Sequence, residues 1–128
     1  MSKPKSKSTK TSKADFEIFK RECQRCVDML GLKNWDIDYE HSKCDNGNAA
    51  ECCTSYIGQC AVLRLGVERL SLPCTAQSIK ETARHEVLEL LLSTFGALNN
   101  SRFDVSEGEV DHVRHEIIRR LLNSPLFQ

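Results

Sequence analysis

Three residues of the stretch ETARHEVLELLLSTFG, residues 81–96, have the types and spacing for chemistry: His85, Glu86 and Glu89. On a helix advancing about 100° per residue, Glu89 lies about 40° from His85, so an imidazole and a carboxylate share one face. Side chains at i and i+4 can grip one divalent cation while a third ligand arrives from elsewhere and a position stays open for water. Glu86, about 100° around the helix from His85, then stands beside the cation as a base for that water. The same three residues also fit a plain polar cluster in which an Arg or His neutralises Glu89.

A helix must carry them. From Val87 onward the segment is apolar nearly all round, with Leu88, Leu90, Leu91, Leu92 and Phe95 on successive sides, which predicts a buried helix. A carboxylate in that setting is costly unless it is paired, so Glu89 requires a cation. Thr75 is the expected N-cap of a helix starting near residue 76, and Gly96 its expected end. The partner is expected on the next helix, EGEVDHVRHEIIRR, opened by an S-x-x-E capping box of Ser106 and Glu109. Its apolar stripe is read as Val110, Val113, Ile117 and Leu121. His115 borders that stripe and is the candidate third metal ligand, with His112 and Glu109 behind it. Arg114 falls within the stripe's arc and is the competing partner, as a salt bridge to Glu89 or Glu86.

Upstream, Phe16, Phe19, Cys23, Cys26, Val27 and Leu30 recur at helical spacing after Asp15 as N-cap and before Gly31 as C′ residue, predicting a helix over 16–30. NWDIDYEH alternates Trp35, Ile37 and Tyr39 with acids, the period of a strand with one buried face. Residues 49–57 and 60–65 read as two further strands joined tightly through Gly58 and Gln59. The expected fold class is α+β: an N-terminal helix, a three-stranded, mainly antiparallel sheet, and two C-terminal helices.

With 128 residues the chain holds one domain of ordinary composition, 40% hydrophobic and 28% charged. The formal net charge is zero, but it is unevenly spread. MSKPKSKSTKTSK has five lysines and no acid, leaving 13 positive against 18 negative charges in residues 14–128. Residues 1–13 are expected to be a disordered basic tail, able to make weak, non-specific, salt-sensitive nucleic-acid contact. No apolar run resembles a signal peptide or a membrane span, which predicts a cytoplasmic protein with no membrane partner. Seven cysteines without an export signal are expected to be free thiols. Cys23 and Cys26 form a lone C-x-x-C inside a helical pattern, read as packing, and Cys44 lies in a loop with no nucleophile context.

The stretches LGLKNWDIDYEH, ARHEVLELLLSTF and HVRHEIIRRLLN resemble a group of small tailed-phage and prophage proteins with an H-E-x-x-E helix, and the element order looks like a minimal zincin fold, that of metallopeptidases. The resemblance covers about residues 14–123. It implies that His85 is a zinc ligand and Glu86 the general base, and it places Glu89 where the zincin H-E-x-x-H motif has its second histidine. On this reading the chain is a zinc-dependent, peptidase-like hydrolase with a peptide or host-protein substrate, working in the host cytosol if phage-encoded. Two other classes fit the same residues: a catalytically inactive zincin-like accessory protein that binds a host protein or nucleic acid, and a small structural or virion-associated protein.

Overall fold

The computed structural model describes residues 10–55, 57–69, 72–102 and 107–123, without the side chains of Asn46, of 94–102 and of part of the last helix. The fold is α+β, ordered α1 (Lys13–Met29), β1 (Asp36–His41), a 3-10 turn at Asp45–Gly47, β2 (Ala50–Ser55), β3 (Cys60–Leu65), α2 (Ala76–Arg102) and α3 (Glu107–Leu122). No described helix is long and apolar enough to cross a membrane.

Part of the stretch whose composition suggests a tail is structured. Lys10 bridges to Glu68, and the Thr11 amide donates to Val67 O at 2.9 Å. Thr11 Oγ1 also donates to Gly66 O at 2.7 Å and lies 2.6 Å from His41 Nε2. Residues 10–13 therefore belong to the domain, while 1–9, the rest of the expected tail, lie outside the described residues. The N-cap of α1 is Ser12, not Asp15: Ser12 Oγ accepts from the Asp15 amide at 3.1 Å and Asp15 Oδ2 accepts from the Ser12 amide at 2.9 Å. This reciprocal capping box satisfies two orphan amides, which a lone Asp cap could not. Gly31 follows the C-cap at φ 69°, the left-handed turn that an L side chain resists.

The sheet is mixed, and this corrects the expectation of a mainly antiparallel one. Its order is β1-β3-β2, with β1 parallel to β3 and β2 antiparallel to β3. The β2–β3 hairpin forms as expected, closing at Ser55 opposite Cys60. Burial explains the order. In β3, CAVLRL, Ala61, Leu63 and Leu65 are buried, so β3 takes the centre. On β1, Asp36, Asp38 and Glu40 are exposed, and on β2 Cys53, Thr54 and Ser55 are exposed, as suits edge strands. Arg64 on β3 ties both edges, donating to Glu40 Oε1 at 3.1 Å and to Glu51 Oε2 at 2.5 Å.

α2 packs against α1, the sheet and α3, and supplies Ile79, Ala83, Val87, Leu88 and Leu90 to a core that also holds Phe19, Cys23, Cys26, Trp35, Leu63, Leu65 and Ile118. It begins where expected, with the Ser78 amide donating to Thr75 Oγ1 at 3.2 Å. It does not stop at Gly96 but continues to Arg102. A glycine costs a helix interior only about 1 kcal/mol, too little to end a helix of this length. Glu22 of α1 is buried and takes both Arg25 and Arg84, at 2.6 and 2.8 Å, which ties α1 to α2. All seven cysteines are unpaired; Cys23 and Cys26 are core residues, with burial pushing their thiols up, Cys26 to about 11.

Candidate metal centre

His85 and Glu89 occupy one turn of α2, where the buried residues Val87, Leu88 and Leu90 fix the helix's rotation. α3 brings His115 to the same point. Glu89 Oε1 lies 3.7 Å from His85 Nε2 and 3.5 Å from His115 Nε2, and the two imidazole centroids are 6.0 Å apart. One ligand atom from each residue lies within 4.8 Å of the others, and among the described residues this is the group of three placed to hold a metal ion. Tetrahedral zinc with bonds of about 2.1 Å separates its ligand atoms by about 3.4 Å. The Glu89–His distances are within a few tenths of an ångström of that value.

Three local features fit a cation. Glu89 Oε1 is buried and accepts no hydrogen bond, which is costly for a carboxylate oxygen unless a positive charge meets it. His115 Nδ1 lies 2.8 Å from Asp111 O. A carbonyl can only accept, so Nδ1 carries the hydrogen, and in the neutral ring the Nε2 lone pair faces Glu89. Burial holds the His85 pKa below the usual imidazole value, outweighing the attraction of Glu89, and His115 lowers it further. His85 is therefore a neutral donor at pH 7.

Glu86 is 8% exposed. Burial, reinforced by the charges of Glu89 and Glu51, pushes its carboxyl up to about 8. Together with His85, Glu89 and His115 it lines a groove of about 540 Å³ whose far wall is Glu51, Cys52 and Cys53 of β2. Glu51 is held there by Arg64 and by the Asp45 amide, 2.5 Å from Oε1. Cys52 is not among the converging donors, and burial pushes its thiol up to about 12.

His112 is exposed and takes no part in the cluster, contrary to its place among the expected ligands. Among the described side chains of α3, Ile118 is the buried one; His115 is about 60° from it around the helix and His112 about 120°. Of the expected stripe, Leu121 packs on the core, whereas the side chains of Val110, Val113 and Ile117 lie outside the described residues, as do Ser106 and the Glu109 side chain. Arg114 pairs with Asp111, one turn back on its own helix, instead of with Glu89 or Glu86. The β2 wall was not legible in the sequence, because which edge strand faces α2 depends on the order of strands in the sheet. Compared with protein-family models, curated proteins and solved structures, the chain matches none.

Proposed function

We propose that the protein is a zincin-like, metal-dependent hydrolase of amide bonds, with zinc held by His85, Glu89 and His115 and with Glu86 as general base. The observation that carries the reading is the buried, unbonded Glu89 Oε1 between two imidazole nitrogens at 3.5 and 3.7 Å. Two histidines and one carboxylate form a ligand set that leaves a fourth position open. Bound zinc supplies Lewis acidity, which acidifies a water and polarises a substrate carbonyl.

Everything else falls to the chain. Glu86 is the buried carboxyl nearest in sequence to the ligands and lines the groove they open into. Alone it keeps its proton at pH 7, because burial and two neighbouring carboxylates oppose its ionisation. With a divalent ion held by His85, Glu89 and His115, Glu86 would have a positive charge beside it to offset those effects and would ionise. Its carboxylate then takes a proton from water and returns it to the leaving amine. β2 lies across the groove as the wall along which an extended peptide would run. The zincin-like reading of the fold belongs to the same proposal, as does the phage resemblance.

Elemental analysis after chelator-free purification tests it. Zinc is expected near one equivalent, lost in His85→Ala, Glu89→Ala and His115→Ala, and retained in Glu86→Gln, which should also lose cleavage of an unfolded protein substrate. Absence of bound zinc, or zinc content unchanged by the three ligand variants, defeats the proposal. Bound zinc without turnover in the unsubstituted protein moves the chain to the inactive accessory class.

A further inference from the structure

Arg69 stands in the segment between β3 and α2 and is 0% exposed. A buried guanidinium ordinarily has a carboxylate against it. Even the half-buried Arg84 and Arg64 have such partners, Glu22 for the first and Glu40 and Glu51 for the second. Arg69 has no such partner among the described residues. Its Nη2 donates to Thr82 Oγ1 at 2.7 Å and to Ser78 Oγ at 3.2 Å, while Nε and Nη1 bond to nothing. Asp15 is near enough to favour the cation, but its carboxylate accepts from the Ser12 amide.

The two hydroxyls face outward as well as inward. Ser78 and Thr82 line a second groove, of about 440 Å³, that also includes His85 and Glu86 and so runs into the candidate metal centre. Thr82 Oγ1 donates to Ser78 O at 3.0 Å, which uses its hydrogen. Ser78 Oγ accepts from Arg69, and among the described residues it donates to nothing, so its hydrogen is available to the groove. Ser78 is also in the first turn of a 27-residue helix, where the helix dipole favours negative charge. Glu81, on the exposed side of the groove, is engaged by Gln77 at 3.0 Å.

We propose that this groove binds a carboxylate of the substrate at Ser78 Oγ, with Arg69 as the buried counter-charge. The inference rests on the hydrolase reading and names its substrate class. Ser78 and His85 are seven residues apart on α2, about 10 Å along the axis, which an extended peptide covers in about three residues. The preferred substrates are peptides with a carboxylate about three residues from the bond that is cleaved.

The test is an amide-shift NMR titration of the chelator-stripped full chain with three peptides: acetyl-trialanine as the free acid, acetyl-trialanine amide, and an acetylated Ala-Asp-Ala amide. The free acid or the aspartyl peptide is expected to move the Ser78 and Thr82 amides and to bind about tenfold tighter than the neutral amide. Which of the two does so distinguishes a terminal from a side-chain carboxylate. Ser78→Ala, at a half-buried surface position, should remove that preference, as should Arg69→Met, where the methionine fills the guanidinium's place without its charge. Equal binding of the three peptides, no shift at the highest soluble concentration, or a preference that survives Ser78→Ala overturns the proposal. Because the titration contains no metal, a failure of zinc to bind leaves its outcome readable, and a failure here leaves the zinc measurement standing.

Discussion

Zinc added to the reduced, metal-free protein should raise its Tm by about 10 °C when free zinc is a hundredfold above Kd. A ligand at that excess stabilises the native state by about 2.7 kcal/mol. Unfolding entropy of about 2.1 cal/mol/K per residue, over 128 residues, gives about 0.27 kcal/mol per kelvin and hence the shift. In the proposed site the whole gain rests on three side chains, so His85→Ala, Glu89→Ala or His115→Ala should each cut it to about 2 °C or less, while His112→Ala and Glu86→Gln should keep it. Differential scanning calorimetry reads the shift directly. The free thiols are a competing zinc sink, chiefly the exposed Cys53 and Cys60; binding to unfolded thiols reduces the shift in every variant alike. Cobalt substitution separates the two, since a His2Glu site gives ligand-field bands without thiolate charge transfer. A shift equal in the unsubstituted protein and in His115→Ala would refute the reasoning, because α3 would then contribute nothing to the site.

In the metal-free protein the folded Glu86 holds its proton up to about pH 8, whereas an ordinary glutamate loses it near 4.5. The native state therefore binds more protons between those values, and stability should fall by up to a few kcal/mol as pH rises through that window, then level off. Denaturant titrations across pH should show this slope in the unsubstituted protein and not in Glu86→Gln. Glu89→Gln removes one of the charges that raise Glu86, so the Glu86 carboxyl should titrate below 8 by side-chain NMR. Glu22→Ala removes the buried carboxylate that Arg25 and Arg84 share at the α1–α2 interface and should cost about 3 kcal/mol in urea unfolding, while leaving zinc stoichiometry unchanged. Gly66→Ala places a Cβ 2.9 Å from Ala49 O and 3.0 Å from Asn48 O, both backbone atoms, so it should destabilise the fold by about 1–3 kcal/mol and displace the 48–49 segment that borders both grooves.

Much of the local structure was legible because it is written in short-range periodicity. The spacing of Phe19, Cys23, Cys26 and Val27 marks the buried face of α1, and the alternation in DIDYEH marks β1. Helix ends were less legible. Ser12 caps α1 through a reciprocal bond with Asp15, so α1 starts at Lys13, three residues before the start that an Asp15 cap implies. At the other end, Gly96 is a stop signal whose small cost 27 residues of helix absorb. Parallel pairing of β1 with β3 could not be read locally, because it depends on which strand takes the centre of the sheet.

The sequence by itself determined that His85, Glu86 and Glu89 lie on one turn of a helix too apolar to stand in water, since that needs only a 3.6-residue repeat and a run of leucines. It left open whether a histidine or an arginine of the last helix meets Glu89. Tertiary packing decided that: burying Ile118 against the core rotates α3 so that His115 faces Glu89 while His112 faces solvent, and Asp111 captures Arg114. It also decided that Arg69 is buried with hydroxyls in place of a carboxylate, because the isolation of a charge depends on everything the fold places around it.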